Sequence, residues 1–381
     1  MDNVSGFHRE EYGTSPETVG SSPGGAGIFG SYTEPQEGFM LTVAIDRVAE
    51  VAVSPRSDAA LRFHAAHLGE RKRANINTLR YKREHRWANL PKGVIAWFMA
   101  RTPNMTGLNI TLHVGIPGVP GLGMRAALLA ACAKAVAKQC GRKLSSDELL
   151  ELGRFVDTEY STEETPVSEL LTTLHAKENA LLYIDTRFTR FSHVPLDLGD
   201  AVFVVTNTGV STESVASEIE QRARDCRHGV ALLSGEGQEK TLRDYAPADF
   251  RTPDRALPER ARRRCLHVVE ENQRVQEALR LLRRRDAFGL GKTLLHSHES
   301  QRDLYEISCP EVDWLVKRCS ETPGIYGAAM SGPGFGGCTT TLLELGAMEA
   351  YYRRLKEYER IFGFHAETFH VQGGAALQME V

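Results

Sequence analysis

The chain has no Cys-x-x-Cys pair. Its seven cysteines, Cys132, Cys140, Cys226, Cys265, Cys309, Cys319 and Cys338, are scattered through apolar or helix-forming sequence. That pattern excludes a paired-thiol metal clasp or redox dithiol and points to reduced thiols in a cytosolic protein. A long hydrophobic run is also missing: the longest, Ala126 to Ala137, is interrupted by Lys134 and falls short of what about 30 Å of hydrocarbon requires. No membrane span is expected. The polar stretch Met1 to Tyr12 offers no apolar segment for a signal peptide, so a cytoplasmic location is expected. Charge of one sign is lacking too: 46 Lys and Arg against 49 Asp and Glu leave a net −3, which gives no bulk attraction to nucleic acid or to an anionic membrane. Internal repeats and low-complexity tracts are absent from the sequence.

What is present fits a large folded protein. At 381 residues, 41% hydrophobic and 25% charged, the chain is too long for one simple core and suggests two domains. Composition turns polar and helix-forming beyond Asn207, so the boundary is expected between residues 195 and 210, giving domains 1–205 and 206–381. Val43, Ile45, Val51 and Val53 alternate along a strand or hairpin from Leu41 to Val53. A helix is expected to start within Arg86 to Val94, and strands at Asn109 to Val114, Ala180 to Asp185 and Ala201 to Thr206. Met124 to Gln139 reads as a buried helix stopped by Gly141, and Ser145 to Phe155 as a helix with a capping box completed by Glu148. Pro258 to Arg285 repeats apolar residues at helical spacing, with arginines on a solvated face. Gly235 to Pro253 is the most linker-like stretch.

Three segments are glycine-rich: Ser22 to Gly30, Gly115 to Gly123 and Ser331 to Cys338. A glycine turn before a helix lets backbone N–H groups approach a phosphate. Yet Met124-Arg125-Ala126-Ala127 follows the second loop where a phosphate-binding loop would carry lysine and a hydroxyl. In the third, Gly332, Gly334, Gly336 and Gly337 imply close backbone approach, either to a nucleotide phosphate or to the protein's own interior.

Several blocks resemble the galactokinase branch of the GHMP kinases: Gly38-Phe39-Met40-Leu41 with Ala44-Ile45-Asp46-Arg47; Arg86-Trp87-Ala88-Asn89 with Lys92-Gly93-Val94; Ser297-His298-Glu299-Ser300 through Tyr305-Glu306-Ile307-Ser308-Cys309-Pro310-Glu311-Val312-Asp313; and the Gly332 to Cys338 loop. The resemblance implies an α+β, two-lobed fold in which MgATP and a sugar meet in a cleft between the lobes. It also implies that Trp87, Gly121, Gly123, Arg125, Gly332, Gly334 and Gly336 stand on the nucleotide side.

The sequence departs from that family where its chemistry resides. The family's sugar-site motif reads A-P-G-R-V-N-L-I-G-E-H-T-D-Y, and here Ser22 to Pro35 replaces it. Gly25 stands at the catalytic arginine, and Ser31, Tyr32 and Glu34 stand at the glutamate, histidine and aspartate that bind sugar hydroxyls. Ser168 falls at the catalytic aspartate, or Glu169 if the alignment slips by one residue. Ile219 replaces a sugar-contacting tyrosine, and the second loop offers no serine for Mg²⁺. Serine is not a base at neutral pH without help, so the reading is a catalytically impaired pseudokinase that binds a small molecule, such as a sugar, or a regulatory protein partner. The alternative is an ATP-dependent sugar kinase in which Glu34 or Glu169 serves as base and Arg125 replaces the metal site. No metal ligand set is expected from the residues themselves.

Overall fold

A short helix, α1 (Val4–Tyr12), capped by the Asn3 side chain, leads into a strand, β1 (Thr18–Phe29). The glycine-rich stretch Ser22 to Gly30, expected as a loop, is therefore mostly strand. Its Ser-Pro-Gly-Gly composition reads as a turn, but glycine within a strand also marks a close approach of another backbone. On this strand a Cβ at Gly20 would lie 2.1 Å from the Ala131 carbonyl oxygen and 2.7 Å from the Ala135 nitrogen. Only a hydrogen fits there.

The structure is a computed structural model that describes residues 3–371 apart from 104, 213, 235–238 and 252–256. The chain divides into two compact units. One comprises Met1–Gly25, Arg47–Gly118 and Gly123–Leu174; the other comprises Ala26–Asp46, Val119–Leu122 and His175–Val381.

The alternating apolar run becomes one strand, β2 (Phe39–Pro55), which ends in the first unit. There it is followed by β3 (Ala60–Ala65), β4 (Glu70–Asn75), α2 (Asn89–Met99), β5 (Leu108–Val114), α3 (Met124–Gln139), α4 (Ser146–Tyr160) and α5 (Val167–His175). Strand order is β4-β3-β5-β2, with β3 parallel to β5 and the other pairs antiparallel. Val51 faces Leu112 and Val53 faces Ile110 across the ladder, and all four are buried. Helix α3 is buried on nearly every side, as its Ala- and Leu-rich sequence requires. The Ser145 hydroxyl accepts from Glu148 N–H while the Glu148 carboxylate accepts from Ser145 N–H, completing the capping box expected at the start of α4.

The second unit contains β6 (Ala180–Asp185), β7 (Arg190–Pro195), β8 (Ala201–Asn207), α6 (Ala216–Leu233), α7 (Ala248–Arg251), α8 (Glu259–Arg283), α9 (Ala287–Ser300), α10 (Pro310–Ser320), β9 (Ile325–Ser331), β10 (Cys338–Glu344), α11 (Met348–Phe362) and β11 (Glu367–His370). Phe39 to Thr42 of β2 pair with β6, which forms a hairpin with β7. A separate antiparallel sheet has the order β11-β8-β10-β9. Its core gathers Val204, Phe250, Val268, Leu315, Tyr351 and Tyr358, among others.

Two local expectations are corrected here. Within the supposed linker Gly235 to Pro253, residues 235–238 and 252–253 lie outside the described residues, but the middle is structured. Leu242 and Phe250 are fully buried, and a capping box joins Thr241 to Asp244. The arginine face of α8 is not uniformly solvated either: Arg264 is only 1% exposed and lies against Asp225 and Glu306. Both differences have one cause: polar composition does not by itself imply exposure, and buried charge persists when it is paired.

Candidate functional site

In the first unit, Trp87 and Arg125 are brought to one cavity of about 570 Å³. Trp87 lies in a tight turn, Arg83–Ala88, that runs directly into α2. Its indole N–H donates to Glu70 at 2.8 Å, which fixes the half-buried ring. Leu68, Tyr81, Leu90, Leu112 and Ile116 add apolar or aromatic surface to the walls. Lys92, on the next turn of α2, is buried and donates to Asn89 at 2.8 Å; burial lowers its pKa to about 8.

Arg125 lies in the first turn of α3, after Gly123 in the left-handed conformation. Its guanidinium donates through Nη2 to Asp157 and through Nε to Thr165, the latter at 2.8 Å. Asp157 also accepts from Thr165 N–H at 2.7 Å and from the Thr165 hydroxyl at 3.0 Å. The arginine and aspartate side chains are 19% and 12% exposed, so this charge is held in place by a partly desolvated partner. A Cβ on Gly123 would lie 3.1 Å from the Gly25 nitrogen, so these two glycines let β1 pass close to the second loop. Ser168 is buried and Glu169 half-buried near the start of α5.

In the second unit, Ser31, Tyr32 and Glu34 follow the end of β1. Ser31 Oγ accepts from Gln301 Nε2 at 2.8 Å, and Ser31 O lies 3.3 Å from His267 Nε2. Tyr32 has φ 64° and donates its hydroxyl to the Pro333 carbonyl. Its ring packs against Tyr305 with centroids 4.3 Å apart, and burial raises its phenol pKa. Glu34 opens a short turn, Glu34–Gln36, and Ile219, half-buried in α6, brings only hydrocarbon to its position.

The glycines of the third loop are accounted for by neighbours within this unit. A Cβ on Gly334 would meet Ile307 at 2.9 Å and the Tyr32 hydroxyl at 3.0 Å, and one on Gly336 would meet Val210 at 2.7 Å. Gly121 and Gly332 face each other: a Cβ on Gly121 would come within 2.7 Å of the Gly332 Cα. Of the two readings of these glycines, internal packing has a direct geometric cause. His298, in the block that resembles the family, is buried against Asp313 at 3.1 Å, while Asp303 pairs on the surface with Arg302.

Three residues not singled out from the sequence organise these surroundings. Glu271 is fully buried and accepts from Gly30 N–H at 3.0 Å, Ser297 at 2.9 Å and Arg274 at 2.6 Å. Burial pushes its carboxyl up, but the charge and hydrogen bond of Arg274 outweigh this and hold its pKa below the usual value. His267 is also fully buried, and desolvation lowers it to about 4. Asp157 gave no local signal because its partner is 32 residues away. A hint existed: an arginine within an otherwise apolar helix start needs a counterion if it is to be buried.

A larger hollow, about 1070 Å³, lies in the second unit along α8 and α9. Its charges are largely matched among themselves, as in Arg251 with Glu270 and Arg280 with Glu277. The smaller cavity beside Trp87 differs in its more apolar and aromatic walls, and is the candidate ligand site.

Fold and motifs together are those of the GHMP kinase family. The GHMP kinases N terminal domain matches residues 89–167, GHMP kinases C terminal matches 276–360, and the galactokinase galactose-binding signature matches 6–55. The sequence is 34% identical to a galactokinase homologue of Treponema pallidum over 98% of this chain and 95% of that protein. It is 30% identical to a galactokinase of Actinobacillus pleuropneumoniae over 95% of this chain and 94% of that one. The structure of Lactococcus lactis galactokinase complexed with galactose superimposes with a TM-score of 0.89 at 22% identity, covering 97% of each chain. The chain belongs to the galactokinase family. The α+β fold expected from the sequence is the one found, and among the described residues no helix is long and apolar enough to cross a membrane.

Proposed function

We propose that this protein is a galactokinase-family member that binds a nucleotide in the cavity beside Trp87 without transferring its phosphoryl group to a sugar. The observation on which this rests is Tyr32. At the position where the family places a sugar-binding histidine, the side chain donates to Pro333 and packs on Tyr305. In place of a polar contact for substrate stands a partly buried ring packed against the core of the second unit.

Other positions agree with that reading. Gly25 brings no charge to the arginine position, and Ser168 is a buried serine with no carboxylate of its own. Losing a positioned base costs about 10²- to 10⁴-fold in rate, and losing a charge on the transferring group costs roughly 10³-fold more. These effects are not additive, but ordinary turnover falls to near background.

The test is transfer of labelled γ-phosphate from MgATP to galactose and a panel of monosaccharides at micromolar protein. The expected outcome is no labelled sugar. Labelled sugar phosphate would overturn the proposal in favour of the second reading, an active kinase, which the named galactokinases among its relatives and the half-buried Glu169 support. In that case Glu169→Gln or Glu34→Gln should abolish the transfer.

A further inference from the structure

We propose that Glu70 is a positioning residue for the cavity in the first unit, holding the Trp87 indole so that the ring offers a nucleobase its face and not its N–H. The proposal deepens the nucleotide-site reading above and rests on it. Trp87 lines the cavity, whereas Glu70 does not. Glu70 opens β4 and reaches the turn Arg83–Ala88 with both carboxylate oxygens. Oε2 accepts from the Trp87 indole N–H at 2.8 Å, and Oε1 accepts from Arg86 Nη2 at 2.7 Å. The Trp87 hydrogen bond, with the charge of Arg86, holds the Glu70 carboxyl below the usual range, so it is ionised at neutral pH. An indole has one donor and no acceptor. With that donor committed to Glu70, the half-buried ring has only carbon surface to give a ligand.

The backbone beside the ring is strained. Arg86 sits at φ 44°, ψ −118°, a conformation that a residue with a side chain rarely adopts and keeps only where its surroundings over-determine it. Those surroundings are identifiable. The Asn89 side chain donates to the Lys82 carbonyl at 2.8 Å and accepts from Lys82 N–H at 3.2 Å, which closes the base of the turn. Lys72 of β4 donates to the Glu84 carbonyl at 3.2 Å. These contacts fix the backbone of the turn, and the Glu70 contact fixes the ring. The cavity's other walls include Leu112 and Val114 of β5 and Leu128 of α3. A base held by stacking and aliphatic contact is bound through its plane, which every base possesses. Loss of the ring's orientation therefore affects adenine and guanine nucleotides alike.

The experiment is calorimetric titration of the full chain with ATP and with GTP in the presence of Mg²⁺, with tryptophan emission recorded in parallel. Trp87→Phe isolates the Trp87 signal from those of Trp97 and Trp314. Glu70→Ala should weaken both nucleotides by about 10-fold and in the same ratio, and should shift the Trp87 emission before any nucleotide is added. Because that change also frees the strained Arg86, Glu70→Gln supplies a second variant. Its amide oxygen still accepts from the indole, so most of the affinity should return. Unchanged affinity in folded Glu70→Ala would overturn the proposal, even if its melting temperature fell, because the contact would then serve stability alone. Glu70→Gln as weak as Glu70→Ala would also overturn it, as would a changed ratio of ATP to GTP affinity, the mark of a group that reads the base edge. Those outcomes leave nucleotide binding by the unaltered chain in place. Absence of binding by the unaltered chain would overturn the nucleotide-site reading, and the proposal with it.

Discussion

The phenol ring of Tyr32 lies against that of Tyr305, centroids 4.3 Å apart at an interplanar angle of 33°. Its hydroxyl is donated to the Pro333 carbonyl, and its backbone adopts φ 64°. Few bulky residues are tolerated in that conformation without compensation. Here the ring contact and the hydrogen bond provide it. Tyr32→Phe should therefore cost about 1 kcal/mol by leaving Pro333 without its donor, and Tyr32→Ala several times that. Urea unfolding of both variants checks the ordering.

The Arg125–Asp157 pair predicts a coupling. Both side chains are mostly removed from water, so deleting one leaves the other poorly solvated. Arg125→Ala and Asp157→Ala should each destabilise by about 1–3 kcal/mol, and the double variant should cost clearly less than their sum. Simple additivity in denaturant titrations would show that the pair contributes nothing as a pair.

His8 predicts a pH dependence. The ring is fully buried between Thr111 and Ser54, with nitrogens 3.0 and 2.9 Å from their hydroxyls, and burial lowers its pKa to about 4. The neutral ring can donate at one nitrogen and accept at the other; the cation can only donate. With an unfolded-state value near 6.5, the unfolded chain takes up the proton first as pH falls. Stability from this group is thus full above about pH 6.5, declines between 6.5 and 4, and is flat below; the total is at most about 3 kcal/mol. Unfolding free energies of the protein and of His8→Gln across that range should converge toward the acid end. Parallel curves would exclude His8 as the source.

Two glycines of β1 should respond in opposite ways. Gly20→Ala places a methyl on the Ala131 carbonyl, which cannot move without distorting α3, and should destabilise by about 3 kcal/mol or more. Gly27→Ala meets only the Met40 side chain, at 4.0 Å, and should be close to neutral or slightly stabilising. Melting temperatures of the two variants, measured side by side, decide the point.

Much of the fold was legible where local signals agree with burial. The alternating valines of β2, the alanine-rich α3 and the Ser145–Glu148 capping box each state their structure within a few residues. The strand Thr18–Phe29 was not legible, because glycine and proline signal a turn locally and nothing nearby reveals that a helix backbone will lie against the chain at Gly20. The burial of Arg264 was hidden for a similar reason: Asp225 and Glu306 are distant in sequence. The candidate site divides in the same way. Gly25, Ser31, Tyr32 and Ser168 could be identified as departures from the family pattern, while Asp157, His267 and Glu271 gave no such mark.

The sequence by itself determined family membership, the α+β class and the loss of charged and hydroxyl groups at the family's motif positions, since these are properties of residue identity and order. Only the tertiary structure decided what the replacements do. It joined Arg125 to Asp157, turned Tyr32 onto Tyr305 and Pro333, and filled the space around Gly334 with the protein's own atoms. Each outcome depends on groups far apart along the chain. Pairing of partly buried charges and exclusion of atoms at contact distance act only once folding brings those groups together.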